Sequence, residues 1–423
     1  TTDYVAATAT VPFVIGSPAS SITVVATGGG TQGVNYQISN GALYGAAGAR
    51  ITVNAADLQT ALATGSVSLL ATSVTINAPI SWAANSTLSL GLNTSSTLAI
   101  NAKIEGTGAT AGLVIAPSSY TLDVKNGASI ILSGASSTLS VGGNGYSLVR
   151  STSDFGTFTA ANTQRWALAK PLSFNGSRST SPVNVNFTGT FDGLGNTVNG
   201  LAFSGVPTDP YLGLFRILNG ATIRNVGITG LSNTATSGTT ASQYVFGALA
   251  GAAQTGTSTV SQVWSTGVIQ LTSTTQYGGV VAGGLVGVSQ QGATLDISKS
   301  WSSVALNGGS ATYSAIAVGG IVGGDFDSFS QSSTSAGGSI ILSEVYATGS
   351  ISASNGGWWG IGGLIGLHWS AGNTIRVTDS FSWSPVTSNL AGWGGVLGNS
   401  SGSTPSLTNT YTSRPNCWYY ITT

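Results

Sequence analysis

Two neighbouring carboxylates are the first residues in this sequence that could do chemistry. Asp325 and Asp327 lie two positions apart in the motif Gly-Asp-Phe-Asp at 324–327. They are the only close pair of acidic residues in the chain. On one strand their side chains would share a face, and in a loop they could bind Ca²⁺ together with carbonyl oxygens. A solvent-exposed turn explains the motif with fewer requirements, so Asp325 and Asp327 remain weak calcium candidates.

The other residues with catalytic potential are isolated from one another. His368 is the only histidine and Cys417 the only cysteine, so neither can complete a zinc site with residues of its own kind. A catalytic triad would need a nucleophile and a carboxylate whose positions the sequence does not give, and a structural role is favoured for His368. Cys417 is either a small buried hydrophobe, the favoured interpretation, or a thiol that pairs between molecules. Asp192 is interpreted as a turn residue bonded to its own backbone. We therefore predict no catalytic residue, no metal and no cofactor.

Aromatic residues concentrate in the last third of the chain. Trp and Tyr supply much of the energy of protein interfaces, and exposed rings can stack on sugars. The candidates for partner contact are Trp358, Trp359, Trp369, Trp393, Trp418, Tyr419 and Tyr420. The competing and favoured interpretation is a ladder of rings within a repeating fold.

The composition excludes several classes of protein. The 423 residues include 12 Lys and Arg and 12 Asp and Glu, for a net charge of zero. Twelve scattered cations cannot neutralise a phosphate track, so nucleic-acid binding through a basic surface is excluded. A hydrophobic content of 41% excludes intrinsic disorder. The longest apolar stretches are broken by glycine pairs and fall short of the ~20 residues of a membrane-spanning helix.

The first 150 residues alternate apolar and polar side chains with the two-residue period of strands. We predict strands within 66–70, 74–76, 87–90, 97–100, 113–115, 120–124, 129–132 and 138–141. Turn residues such as Asn126-Gly127 separate them. The segment Asn54 to Ala63 is the one candidate helix, with Asn54 as its N-cap.

The second half repeats, with small apolar blocks that begin and end in glycine. These blocks are 213–215, 247–251, 284–287, 320–323, 363–366 and 395–398. Between them recur blocks that carry an aromatic ring, at 263–267, 300–304, 345–349, 380–383 and 411–413. Such short units cannot bury a face alone and must stack on their neighbours. The repeats therefore predict a parallel β-helix with an inner ladder at positions 214, 249, 285, 321, 364 and 396 and a separate aromatic stack.

These blocks resemble the GLUG repeat of secreted bacterial surface proteins, most clearly Gly284-Leu285-Val286-Gly287. Residues 187–201 resemble the segment that introduces those repeats. Residues 65–141, especially 80–90, are similar to filamentous haemagglutinin and high-molecular-weight adhesins. The resemblance implies an all-β, right-handed parallel β-helix (a solenoid), exported and displayed at the cell surface as an adhesin.

We expect three regions: an N-terminal β segment at 1–50, a haemagglutinin-like β-helix at 51–205 and a GLUG-like β-helix at 206–423. The first would be a cap or, through the apolar stretch Val5 to Val25, a strand donated to another subunit. The opening Thr1-Thr2-Asp3 is typical of a processed, exported chain.

The predicted function is that of a secreted, non-catalytic adhesin or extracellular matrix protein of the bacterial cell surface. Its expected partners are other copies of itself and a glycan or protein receptor on a host or other surface. The alternative is a subunit of a self-assembling extracellular filament, joined by strand exchange or end-to-end stacking. A β-helical polysaccharide-degrading enzyme is a third possibility and would need clustered carboxylates.

Overall fold

The protein is described from a computed structural model, which covers residues 18–46, 48–160, 164–236, 244–270, 279–310, 316–326, 337–354, 359–370, 372–388, 393–400, 403–413 and 420–421. The chain divides into two compact units, Thr1–Leu148 and Val149–Thr423. The described residues are almost all β, with one α-helix and two short 3₁₀ helices. Within these ranges, no helix combines the length and apolarity that crossing a membrane requires.

The first unit consists of short strands and the α-helix. Its elements are β1 (Ala19–Val25), β2 (Gln37–Ser39), β3 (Ala42–Tyr44), β4 (Arg50–Asn54), α1 (Ala55–Thr64), β5 (Val67–Leu69), β6 (Ala71–Ile76), β7 (Ile80–Trp82), β8 (Thr87–Leu90), β9 (Thr97–Ile100), β10 (Ile104–Gly106), β11 (Gly112–Ile115), β12 (Thr121–Leu122), a 3₁₀ helix (Val124–Asn126), β13 (Ile130–Leu132), β14 (Thr138–Val141) and β15 (Asn144–Val149). The strands expected from the alternating pattern are present.

Most strands of the first unit pair in parallel with a strand 20 to 30 residues away, roughly one repeat of the pattern. A five-stranded sheet has the order β12-β9-β6-β1-β4, and a three-stranded sheet has the order β13-β10-β7. A further parallel series joins β3, β5, β8, β11 and β14. Alternate side chains of these strands are buried, as expected for strands with one face on a core.

Helix α1 confirms the one predicted helix, and Leu58 and Leu62 are its buried face. Asn54 is its N-cap residue by position, but its side chain makes no capping hydrogen bond. Instead, the Asn54 Oδ1 accepts from the N–H of Gly29 (3.0 Å), and its Nδ2 donates to the carbonyl of Gly30 (3.3 Å). The side chain therefore fixes a neighbouring loop rather than the helix.

The N-terminal stretch corrects one expectation. Strand β1 lies between β4 and β6, with Ser21 opposite Arg50 on one side and Ser73 on the other. Because both edges of β1 are paired inside the unit, residues 19–25 are not a strand donated to another subunit. The remainder of the proposed donor segment, from Val5 to Ser17, lies outside the described residues.

The second unit continues with parallel strands. Its elements are a 3₁₀ helix (Thr152–Thr157), β16 (Arg165–Leu168), β17 (Leu172–Ser173), β18 (Ser177–Arg178), β19 (Val183–Phe187), β20 (Thr190–Asp192), β21 (Thr197–Asn199), β22 (Ala202–Gly205), β23 (Tyr211–Leu212), β24 (Phe215–Leu218), β25 (Thr222–Ala235), β26 (Tyr244–Gly247), β27 (Ala250–Gln254), β28 (Thr257–Gln270), β29 (Val280–Gly283), β30 (Val286–Gln290), β31 (Thr294–Ser298), β32 (Trp301–Ser310), β33 (Ile316–Gly319), β34 (Val322–Asp325), β35 (Ser339–Ser343), β36 (Tyr346–Ala347), β37 (Ile351–Ser354), β38 (Trp359–Gly362), β39 (Ile365–His368), β40 (Ile375–Ser382), β41 (Val386–Ser388), β42 (Trp393–Gly394), β43 (Leu397–Ser400), β44 (Ser406–Thr412) and β45 (Tyr420–Ile421).

Each repeat of the second unit contributes strands to three parallel series. One sheet has the order β19-β24-β27-β30-β34-β39-β43-β45 and another the order β23-β26-β29-β33-β38-β42. The third series runs through β25, β28, β32, β36 and β40 to β44. Equivalent positions of successive repeats are therefore opposite one another, as the sequence repeat predicts.

The inner ladder predicted from the glycine-bounded blocks is present. Residues 214, 249, 285, 321, 364 and 396 have no exposed surface and belong to one hydrophobic cluster. The backbone N–H of Leu249 donates to the carbonyl of Leu285 (2.8 Å), and that of Leu285 donates to Ile321 (2.9 Å). Each block is thus bonded to the same position of the next repeat.

The sheet from β23 to β42 is buried on both faces. Phe246, Ala282 and Val318 face the main hydrophobic cluster, whereas Val245 and Val281 pack in a second cluster with side chains of the neighbouring sheet. In a sheet that is covered on both faces, the sequence of each strand is a continuous apolar run rather than an alternation of apolar and polar residues. This explains why the glycine-bounded blocks lack the period-two pattern of the first unit.

Glycine is required where these blocks approach one another. A Cβ at position 284 would lie 2.0 Å from the carbonyl oxygen of Gly320 and 2.3 Å from the Oγ of Ser302. No side chain fits at such distances, so Gly284 permits the close approach of successive repeats.

Candidate functional site

Five aromatic residues occupy one register on consecutive strands of the third series. We call this set the aromatic ladder; it consists of Trp264, Trp301, Tyr346, Phe381 and Tyr411. The residues on either side of each ring point inward, so the rings lie on the outer face of the sheet. The aromatic blocks of the sequence predicted this stack.

Three consecutive rings of the ladder lie nearly parallel. The centroids of Trp301 and Tyr346 are 5.7 Å apart with an interplanar angle of 6°, and those of Tyr346 and Phe381 are 5.0 Å apart with an angle of 1°. Neighbouring strands are about 4.8 Å apart, so rings in one register meet face to face. Such pairs contribute about 0.5–1.5 kcal/mol each beyond the burial of their surface.

Gly227 lies one strand before the first ring of the ladder. It is opposite Trp264 in the register, and a Cβ at this position would lie 2.3 Å from Cε2 of the indole. The absence of a side chain at Gly227 therefore allows the Trp264 ring to lie over the backbone of β25.

Exposure increases toward the last strands of the ladder. Trp264, Trp301 and Tyr346 are half-buried, whereas Phe381 is 40% exposed and Tyr411 is 65% exposed. Trp383, two residues after Phe381, is 67% exposed. We call Phe381, Trp383 and Tyr411 the exposed aromatic patch.

A polar pair lies beside the exposed aromatic patch. Asp379 and Asn409 precede Phe381 and Tyr411 by two residues, and the Nδ2 of Asn409 donates to the Oδ1 of Asp379 (2.9 Å). Both have left-handed backbone angles, with φ of 49° and 47°. The same conformation recurs in earlier repeats, at Asn225, Gln262, Lys299 and Glu344. The polar pair is therefore held at a fixed corner of the repeat.

A second candidate site is a fully buried pair of an aspartate and a histidine. Asp325 at the end of β34 and His368 at the end of β39 are opposite one another in the register, and neither has exposed surface. The Nδ1 of His368 lies 2.7 Å from the Oδ2 of Asp325, and the N–H of Trp369 donates to the Oδ1 (2.8 Å). The expectation of a solvent-exposed turn at Asp325 is therefore wrong, because the carboxylate lies inside the fold and both its oxygens are bonded.

Ser403 completes a chain of three residues that resembles a catalytic triad. The Nε2 of His368 lies 2.9 Å from the carbonyl oxygen of Ser403 and 3.3 Å from its Oγ. A serine nucleophile needs an Nε2 without hydrogen, which accepts the hydroxyl proton. Here the nearer carbonyl requires that Nε2 carry a hydrogen and donate it, and the Ser403 hydroxyl itself donates to the carbonyl of Asn373. The arrangement joins three segments and does not activate Ser403.

Burial affects the titration of the Asp325 carboxyl. Burial raises the pKa of the Asp325 carboxyl above its ordinary value, and it outweighs the opposing effects of the hydrogen bond from His368 and its charge. The Asp325 carboxyl therefore keeps its proton to higher pH than an exposed carboxyl does. The contact with the carbonyl of Ser403 keeps Nε2 of His368 a donor.

Two other acidic residues have structural partners. Asp192 is buried, and its Oδ1 accepts from the N–H of Leu194 (3.0 Å), as predicted for a turn residue. Its Oδ2 also lies 2.7 Å from the Nε of Arg224. In the described part of the chain, no group of three or more His, Cys, Asp or Glu residues could hold a metal ion.

The partner candidates chosen from the sequence lie apart from the exposed aromatic patch. Trp369 is half-buried against the second hydrophobic cluster, and Trp393 is half-buried against the main one. Trp359 and Tyr420 belong to β38 and β45, and their side chains are outside what is described. The remaining candidates outside the described residues are Asp327, Trp358, Cys417, Trp418 and Tyr419.

The pairing of Asp325 with His368 was not predicted, although the repeats contain a signal for it. Both residues follow the inner-ladder position of their block by four, after Ile321 and Leu364. Alignment of the blocks would have placed them opposite one another despite the long insertion between these repeats.

Comparisons with known proteins add little to the functional interpretation of these sites. No family model matches the chain, and no curated protein matches it. Among solved structures, a crystal structure of a "putative immunoglobulin A1 protease" from Bacteroides ovatus matches with a TM-score of 0.40 and 20% identity. The match covers 58% of this chain and 67% of that one. A likeness at this level carries no argument about function.

Proposed function

We propose that the chain is a secreted, non-catalytic attachment protein of the bacterial cell surface, an adhesin or matrix protein built as a right-handed parallel β-helix. The continuous parallel register between successive repeats supports the β-helix, since each of the three strand series pairs position by position with the next repeat. The resemblance of the blocks to GLUG repeats supports the handedness and the surface location.

The exposed aromatic patch is the observation that carries the attachment function. Phe381, Trp383 and Tyr411 are large apolar side chains held in fixed positions on a rigid parallel sheet, with much of their surface in water. Clusters of exposed aromatic side chains mark binding surfaces, because their burial by a partner releases ordered water and gains contact energy.

Display on a non-adherent bacterium tests the attachment function. The full chain is fused to a surface anchor, and retention of the cells on glass, polysaccharide films and epithelial cell layers is measured after washing. We expect retention above that of cells carrying the anchor alone. Equal retention on every surface, with display verified by antibody labelling, would contradict the proposal.

A subunit of an extracellular filament is the second candidate, and the edge strand β42 favours it. Among the described residues, β42 pairs only with β38 and is the last strand of its sheet, and Trp393 lies on it. A strand of another chain can add to the edge of a sheet, and a net charge of zero provides little repulsion between copies.

Electron microscopy over a range of protein concentrations distinguishes the two candidates. Fibres with a regular axial period that lengthen with concentration would establish the filament. Dispersed particles at all concentrations, together with a constant sedimentation coefficient, would exclude it.

A further inference from the structure

We infer that the exposed aromatic patch, together with Asp379 and Asn409, binds the uncharged sugar rings of a polysaccharide. The inference rests on the proposed attachment function and names its ligand class and its site.

The exposed aromatic rings are concentrated at one place on the surface. The described residues include seven large hydrophobic side chains that are exposed, and Phe381, Trp383 and Tyr411 are the only aromatic ones among them. All three lie on β40, immediately after it, or on the adjacent β44. The patch is therefore a local feature of the surface and not a general property of the fold.

The spacing of the exposed rings is close to the size of one sugar unit. Phe381 and Trp383 are two residues apart along the chain, which corresponds to about 6.6 Å in an extended strand, and Tyr411 lies one strand away at about 4.8 Å. These separations are comparable to the size of one pyranose ring. Tyr346 stacks on one face of Phe381, so the C–H faces of a sugar, which are its apolar faces, would meet the Trp383 and Tyr411 rings.

The polar pair Asp379 and Asn409 can accept hydrogen bonds from sugar hydroxyl groups. A carboxylate can accept about four hydrogen bonds, so the single bond from Asn409 leaves Asp379 with capacity to accept more. Asn409 has an amide oxygen that can also accept. Acceptors beside a flat apolar ring match a sugar, whose hydroxyl groups surround its apolar face.

The surroundings of the rings favour a sugar over a second protein. The exposed neighbours Ser406 and Thr408 on β44, and Ser413 immediately after it, are small and hydroxylated. The centre of a protein interface is continuous and apolar, whereas here the three rings are flanked by hydroxyl groups. Asp379 would repel an acidic sugar, so the ligand is uncharged.

Calorimetric titration of the full chain tests this inference. The probes are cellohexaose, xylohexaose and mannohexaose as uncharged oligosaccharides and hexagalacturonate as an acidic one. We expect at least one uncharged probe to bind and hexagalacturonate to bind at least tenfold more weakly. Absence of binding by all uncharged probes, or preferential binding of the acidic one, would overturn the inference.

Substitutions locate the site. We expect Trp383→Ala and Tyr411→Ala each to weaken binding about tenfold and Trp383→Phe, which keeps a ring, to retain most of it. Val268→Ala, at an exposed apolar side chain outside the patch, is the matched control and should leave binding unchanged. Unaltered thermal unfolding shows that each variant is folded. Equal affinity of the alanine variants and the native chain would exclude the patch as the site.

Two further measurements separate failure of this inference from failure of the attachment function. If the displayed chain adheres but the sugars do not bind, the attachment function stands and the sugar assignment is wrong. If sedimentation shows association between copies that Trp383→Ala abolishes, while no sugar binds, the patch is a contact between copies and the inference is also wrong.

Discussion

Asp325 and His368 lie opposite one another on neighbouring parallel strands, and 2.7 Å separates Oδ2 of the first from Nδ1 of the second with both side chains fully buried. The only histidine of the chain thus partners a carboxylate 43 residues away. Through Ser403 and the N–H of Trp369, the pair also joins the segments that follow β39 and β43.

Removal of the imidazole should destabilise the second unit. We expect His368→Ala to lower the free energy of unfolding by about 3 kcal/mol, because a buried carboxyl loses its partner. Arg376→Gln, an exposed position on β40, is the control and should change it by less than about 0.5 kcal/mol. Denaturant titration followed by circular dichroism measures both. The Asp325→Asn/His368→Ala double variant should lose less free energy of unfolding than the sum of the losses of the two single variants. Strict additivity of these losses would show that the two residues are not coupled.

The stability of the native protein should carry a pH dependence that Asp325→Asn removes. Because burial raises the pKa of Asp325 in the folded state, the folded chain holds this proton to higher pH than the unfolded chain. The contribution is fully present below the unfolded pKa of about 3.9 and is lost as pH rises toward the folded value. The stability difference, native minus variant, should therefore fall as pH increases from 3.5. Parallel curves for the two proteins would contradict this.

Tyr36 should make the first unit sensitive to alkali. Its buried hydroxyl donates to the carboxylate of Asp57, and burial first, then this bond, raises the pKa of Tyr36 to about 12. Stability from the protonated phenol is thus present below pH 10 and is lost between about pH 10 and 12, by at most about 2.7 kcal/mol at 1.36 kcal/mol per unit. Tyr36→Phe should weaken this dependence, as measured by urea unfolding at pH 9 and pH 11. The same pH slope in both proteins would show that other groups cause it.

Two glycines of the repeats should respond differently to alanine. At Gly284 the new Cβ would meet the backbone of Gly320, which cannot rotate away, and we expect a loss of about 3 kcal/mol or more. At Gly227 the Cβ would meet only the half-buried Trp264 ring, so a loss of about 1 kcal/mol with a changed near-ultraviolet circular dichroism is expected. Gly156, which has open space around it, is the control. A larger loss at Gly227 than at Gly284 would contradict the close approach of the repeats.

The sequence predicts the regular part of this protein well. Period-two alternation identified the strands of the first unit, and the recurrence of blocks placed Leu249 above Leu285 and Tyr346 above Phe381. Both signals are physical, since a buried face fixes the side-chain period and stacking requires identical units.

The Asp325–His368 pair and the exposure of Trp383 were not predicted, because both depend on contacts between residues that are distant in the sequence. The motif at 324–327 reads as an exposed turn because its flanks are rich in glycine and serine, yet the repeat register brings Asp325 against His368. Likewise, nothing local distinguishes Trp383 from Trp393. Their different exposure follows from which strands and loops cover each ring.

The backbone bonds between Leu249, Leu285 and Ile321 point from one repeat to the next. A pulling force along that direction loads these bonds in series, so one repeat can rupture while those beyond it remain folded. Stretched by flow, the second unit would lengthen in steps of one repeat of about 36 residues. The unfolding of each repeat would absorb mechanical work before a covalent bond of the chain broke.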